Sequence, residues 1–209
     1  MDYLRDPSEI YRRSFGIVRA EADLSGLPPD VADVAVRLIH ACGMLDIVAD
    51  LRWSAGVVGA ARAALEAGAP VICDARMVAD GVIPARLPAG NQVLSMIHLP
   101  NLARMAEEQG TTRSAAQVEL WKPYLPGSVV AIGNAPTALF RLLEVIDTDP
   151  SRKPAAILGF PVGFVGAAES KQALDDSDAG VEYLTLLGRR GGSALAAAAV
   201  NALATRREI

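Results

Sequence analysis

The chain has 209 residues, 51% of them hydrophobic, with 20 basic and 24 acidic side chains for a formal charge of −4. This is ample material for the core of one domain spanning residues 1–209, while the apolar runs stay far below the roughly 18 consecutive residues that a membrane span needs. The mild acidic balance, with no basic run or aromatic-interleaved patch, argues against nucleic-acid binding.

Cys42 and Cys73 lack metal-ligand spacing and suit a reducing compartment, and Met1 to Asp6 has neither the basic flank nor the apolar stretch of a secretory signal. The expected compartment is the cytoplasm.

Asp6-Pro7-Ser8-Glu9 is a helix start: Asp6 as N-cap, Pro7 at the first helical position and Glu9 placed to reach back. The helix runs to about Ala22, with Ile10, Phe15, Ile17 and Val18 on its apolar side and Tyr11, Arg12, Arg13, Ser14 and Arg19 on its polar one. A second helix begins near Pro29, carries Val31, Val34, Ala35, Leu38 and Ile39 toward His40, and stops at Gly43. Arg37 lies three residues before His40, so both address one helical face. Met44 to Trp53 is ambiguous; Asp46 and Asp50 suit a solvated helix face and no metal site is assigned.

Ser54 is the expected cap of a helix through Ala67, which Gly68 ends. Strand candidates follow at Val71–Asp74, Gln92–Ile97, Ser128–Gly133, Ala155–Phe160 and Val181–Leu187. Helix patterns alternate with them at Asn101–Gln109, Thr112–Tyr124, Ala135–Ile146, Gly166–Leu174 and Ser193–Ala204, the last Ala-rich and followed by Arg206, Arg207 and Glu208. Short apolar strands without a polar face, alternating with amphipathic helices, predict a three-layer α/β/α fold. Its sheet is mainly parallel, of about five strands, and flavodoxin-like. Ligands of such sheets bind beyond the carboxyl ends of the strands, and here those ends are rich in glycine.

Named cofactor and nucleophile motifs are missing: there is no G-x-x-x-x-G-K-[ST], no G-x-G-x-x-G and no G-x-S-x-G, and two His and two Cys are too few for a zinc site. The chemistry left needs one group that titrates near neutrality, with no redox cofactor and no metal. His40 is one candidate for that group. The helix C-terminus favours its cation and its apolar neighbours favour the neutral ring; the alternative is a core histidine bonded to a carbonyl. His98, before Leu99-Pro100, reads as structural.

The segments Arg37-Leu38-Ile39-His40, Thr112-Arg113-Ser114-Ala115, Ile132 to Phe140 and Gly159 to Lys171 resemble the precorrin-8X methylmutases, or precorrin isomerases, of cobalamin biosynthesis. The resemblance covers nearly the whole chain. Cys42 departs from it, standing where many relatives have Thr. What it implies is an isomerase that moves a methyl group between adjacent ring carbons of a tetrapyrrole-derived macrocycle. Precorrin-8X, or its cobalt-containing counterpart, becomes hydrogenobyrinic acid or its equivalent, without a cofactor and in a homodimer. The family's catalytic histidine falls on His40, and protonating a conjugated ring promotes such a shift.

The implied substrate is large, flat and edged with carboxylates. For it, Arg13, Arg37 and Arg113 are candidate bidentate contacts, Lys171 a point-charge contact, and Ser14, Thr112, Ser114, Asn134 and Ser170 candidate hydrogen-bonding groups. The residues taken singly leave other roles open: Arg13 and Arg113 also suit solvated helix positions, Glu169 to Lys171 a solvated helix face, and Asn134 the organisation of its own turn. A non-catalytic tetrapyrrole carrier would keep the same rim and need no titratable floor. A nucleotide-dependent α/β enzyme lacks its fingerprint.

Overall fold

Asp6 accepts backbone N–H bonds from Ser8 (2.8 Å) and Glu9 (3.2 Å) and opens helix α1, Pro7–Glu21, in the computed structural model, which describes residues 1 and 3–205. Glu9 pairs with Arg12 instead of reaching back. Helix α2, Pro29–Cys42, ends at Gly43, whose φ of 70° is open to glycine without a Cβ penalty and whose N–H caps the Ile39 carbonyl at 2.7 Å. The Arg206–Glu208 tail lies outside the described residues.

The sheet is built from β1 (Leu51–Trp53), β2 (Val71–Cys73), β3 (Val93–Ser95), β4 (Val129–Ile132), β5 (Ala156–Gly159) and β6 (Tyr183–Leu186), in the order β1-β6-β5-β4-β2-β3. The five expected strands are parallel, and their order β3-β2-β4-β5-β6 is the flavodoxin one, with the chain reversing direction across the sheet between β2 and β4. A sixth strand adds to the expected five: β1 runs antiparallel to β6, Leu51 opposite Leu186, out of the segment that was ambiguous in sequence. Ser54 does not cap the next helix, α3 (Val57–Glu66), which starts after Gly56. Its hydroxyl donates to Glu182 and accepts the Tyr183 N–H at 2.8 Å, fastening the end of β1 to β6.

Helices α1, α2, α3, α4 (Arg76–Gly81) and α9 (Ser193–Ala204) bury their apolar sides on one face; α6 (Arg113–Trp121), α7 (Pro136–Thr148) and α8 (Ala167–Asp175) cover the other, and α5 (Leu102–Glu108) packs on α6. Helix α9 is buried from Leu195 to Ala204 and apolar there except for Asn201, whose amide accepts the Ile83 N–H and donates to the Gly81 carbonyl. It lies against β4 and β5, with α2 packed on its outer side. Its approach is close: a Cβ on Gly133 would stand 2.7 Å from the Ser193 Cα. Helix α2 is therefore held by the large side chains it buries, Leu38 and Ile39 among them, each contributing about 1.5–3 kcal/mol. Helix α1 packs on α2, so the pair forms an outer hairpin. Among the described residues no helix is long and apolar enough to cross a membrane.

Candidate active site

The outer hairpin places His40 on the wall of a cavity of about 460 Å³, shared with Ile10, Arg13, Ser14, Ile17 and Leu45. Ile10 and Ile17, placed by the sequence on the apolar side of the helix, are exposed and make the cavity apolar, while Phe15 and Val18 fill the interior below. The His40 Nδ1 lies 2.8 Å from the Ser14 Oγ. Phe15 meets the imidazole edge-on, centroids 5.0 Å apart, and Tyr11 lies at 5.3 Å. Where the Ser14 hydroxyl donates to Nδ1, the neutral ring keeps its proton on Nε2.

Burial, and secondarily the Arg37 cation, lower the His40 pKa below its ordinary 6.5. The helix C-terminus does not win this contest. Arg37 is not on the cavity wall where its spacing from His40 put it: it is 9% exposed, with its guanidinium 5.1 Å from the centroid of the Phe15 ring that also touches His40. Arg13 is exposed on the wall and has no carboxylate partner among the described residues, whereas its neighbour Arg12 pairs with Glu9 and Arg19 with Asp33.

A second group of the predicted residues gathers at the carboxyl ends of β2 and β4, where the strand order reverses. Thr112 caps α6 through the Ala115 N–H (3.1 Å), and its Oγ1 lies 2.7 Å from that of Thr137 on α7. Arg113 is exposed and without a carboxylate partner among the described residues, and Ser114 is half-buried. Asn134 is exposed, and its turn is organised by Asp74, which sequence reasoning did not single out. The fully buried Asp74 carboxylate accepts the N–H groups of Gly133 (2.9 Å), Asn134 (2.9 Å) and Ala135 (2.7 Å). Burial pushes this carboxyl upward against the downward pull of the three donors. The available signal was an aspartate directly after the apolar run Val71-Ile72-Cys73.

Ser170 and Lys171 belong to neither group. Both are fully buried on α8, contrary to a solvated face or a rim of ligand contacts. The Ser170 hydroxyl donates to its own helix at the Ala167 carbonyl (3.2 Å), and the Lys171 ammonium donates to the Arg190 carbonyl. The Arg190 side chain in turn grips Asp46 (2.7 Å) and Asp50 (2.6 Å), in a 3-10 turn Leu45–Asp50 whose first residue borders the His40 cavity. Burial pulls Lys171 down to about 8, with Asp50 opposing. His98 is exposed, and among the described residues no group of three His, Cys, Asp or Glu is placed to hold a metal.

These features define a doubly wound α/β protein with a half-buried histidine on a cavity wall in an outer helical hairpin. The chain belongs to the precorrin-8X methylmutase (CbiC) family, whose model matches residues 9–206, and is an isomerase of that family. It is 60% identical to the precorrin-8X methylmutase of Pseudomonas aeruginosa over 100% of both chains, and 58% identical to that of a Sinorhizobium species over 97% of this chain and 96% of the relative. The cobalt-precorrin-8 methylmutase of Salmonella typhimurium is 36% identical over 97% of each chain. The crystal structure of precorrin-8X methylmutase from Thermus thermophilus superimposes with a TM-score of 0.85 at 40% identity, covering 94% of each chain.

Proposed function

We propose that the chain converts precorrin-8X to hydrogenobyrinic acid by acid–base catalysis through His40, as a cytoplasmic homodimer. The observation that carries the role of His40 is its position: a half-buried imidazole, hydrogen-bonded to Ser14, on the wall of an open apolar cavity. The protonated imidazole gives a proton to the conjugated ring, which spreads positive charge toward the carbon that accepts the methyl group. The methyl migrates with its bonding pair, and the proton returns to His40, so atoms and charge balance without a cofactor. In the free protein burial, and secondarily Arg37, disfavour the imidazolium. A bound polycarboxylate offsets the cations of Arg13 and Arg37 and raises the affinity of His40 for that proton. Arg13, Ser14, Thr112, Arg113, Ser114 and Asn134 form the receiving rim, and Arg37 supports it electrostatically from beneath Phe15.

The metal-free substrate is favoured over the cobalt form because the relatives at 60% and 58% identity are precorrin-8X methylmutases, whereas the cobalt-precorrin-8 enzyme of Salmonella typhimurium is 36% identical. The homodimer follows from the size of a macrocycle against a cavity walled by one hairpin. The deciding experiment is His40→Ala incubated with precorrin-8X and followed by the visible spectrum. The rate falls about 10²–10⁴-fold while the folded variant still binds product. A near wild-type rate would overturn the mechanism, and an active monomer in light scattering would overturn the assembly.

A further inference from the structure

The loop between β5 and α8 exposes three apolar side chains in a row of four residues: Val162 is 45% exposed, Phe164 82% and Val165 89%. Its backbone is braced. The Gly163 N–H donates to the Arg189 carbonyl (3.1 Å) and the Gly192 N–H to that of Phe160 (2.8 Å). Gly191 lies so close that a Cβ would stand 2.4 Å from the Phe160 oxygen, and Lys171 secures the Arg190 carbonyl from inside. Large apolar side chains presented to water on a braced loop mark a binding surface. Beside them the Arg189 guanidinium lies 5.3 Å from the Phe164 centroid, without a carboxylate partner among the described residues, while Arg190 next to it has two.

The loop also joins the two groups of donors described above. At one end Gly166, with φ 79°, packs against Pro136, two residues from Asn134 and adjacent to the Thr137 that meets Thr112. At the other, Gly163 is bonded to Arg189, and Arg190 grips the turn whose Leu45 borders the His40 cavity. We infer that Phe164, Val165 and Arg189 form a further substrate-binding surface, on which the face of the polycarboxylate macrocycle lies against Phe164 and Val165 while Arg189 takes one of its peripheral carboxylates. The inference rests on the function proposed above. The cation–π contact holds the Arg189 fork over the ring before ligand arrives, which lowers the ordering cost of a bidentate contact. An apolar plate beside an unpaired cation complements a flat polyanion better than it does a neutral apolar partner.

The test is a visible-absorbance titration of the full chain with hydrogenobyrinic acid, alongside initial rates with precorrin-8X. Arg189→Gln and Phe164→Ala, both at exposed positions, each weaken product binding on the order of 10-fold and raise KM by a similar factor, with kcat changed much less. A product esterified at its peripheral carboxylates binds wild type and Arg189→Gln alike. Unchanged affinity in both variants, with His40→Ala inactive, overturns this surface and leaves the isomerase mechanism standing; an active His40→Ala overturns the mechanism instead. If Phe164→Ala turns a dimer into monomers at unchanged affinity per protomer, the patch belongs to a second copy and the inference fails. If dimer and affinity are lost together, Arg189→Gln, which keeps Phe164, decides.

Discussion

His40 and Lys171 are both cations that the protein disfavours, and both are disfavoured first by burial. They differ in what surrounds the proton. The His40 ring has one nitrogen engaged by Ser14 and stands on the wall of an open cavity. Lys171 is enclosed, and its ammonium is spent on the Arg190 carbonyl. A depressed pKa therefore does not by itself mark chemistry; access does. Lys171 serves the site at one remove, as the post under the loop whose Arg190 holds the turn beside His40.

The largest effect that would break this comparison is one of stability. Lys171→Ala leaves a cavity and an unpaired carbonyl, and is expected to lower unfolding free energy in urea by about 2–5 kcal/mol. His40→Ala, at a cavity mouth, is expected to cost less than about 1 kcal/mol. A reversed order would mean that His40 is the structural residue and Lys171 the accessible one.

Much of this frame was legible in the residues. The runs at Val71, Ser128 and Ala155 are apolar throughout because strands covered on both faces have no polar side, and that pattern names parallel strands directly. Leu51-Arg52-Trp53 carries no such signal. It is three residues long, at a sheet edge and only partly buried, and what settles it is antiparallel pairing with Leu184, Thr185 and Leu186 far along the chain. The His40 end of its helix was legible through Gly43, a local stop. The burial of Lys171 was not, since Glu-Ser-Lys at a helix start reads as solvated and the covering carbonyl comes from the next crossover. Arg37 fails for the same reason: helical spacing gives a common face but not which side chain Phe15 covers.

A smaller effect sharpens the assignment of His40. Ser14→Ala removes the partner of Nδ1 without touching the cavity's apolar wall. The loss of one hydrogen bond predicts a fall in kcat/KM of about 3–10-fold, with thermal stability nearly unchanged. Full activity in Ser14→Ala would remove Ser14 from the positioning of the imidazole and leave its contact incidental.

The smallest effects are in pH, and they have different signatures for the two groups. Because kcat/KM reports the free enzyme and the proposed donor is the imidazolium, kcat/KM should decline as pH rises through an apparent value below 6.5. For Lys171 the readout is stability. Its proton affinity drops from 10.5 to about 8 on folding, so between those values the unfolded chain binds more protons than the folded one. Stability must then rise with pH across that window, from a full penalty below 8 to none above 10.5. Comparing wild type with Lys171→Met, which keeps the volume and removes the charge, cancels the contributions of other groups. The difference in Tm should move toward wild type between pH 8 and 10.5. A flat difference would show that the ammonium keeps its solvation in the folded protein, and Lys171 would then be as open to ligand as His40.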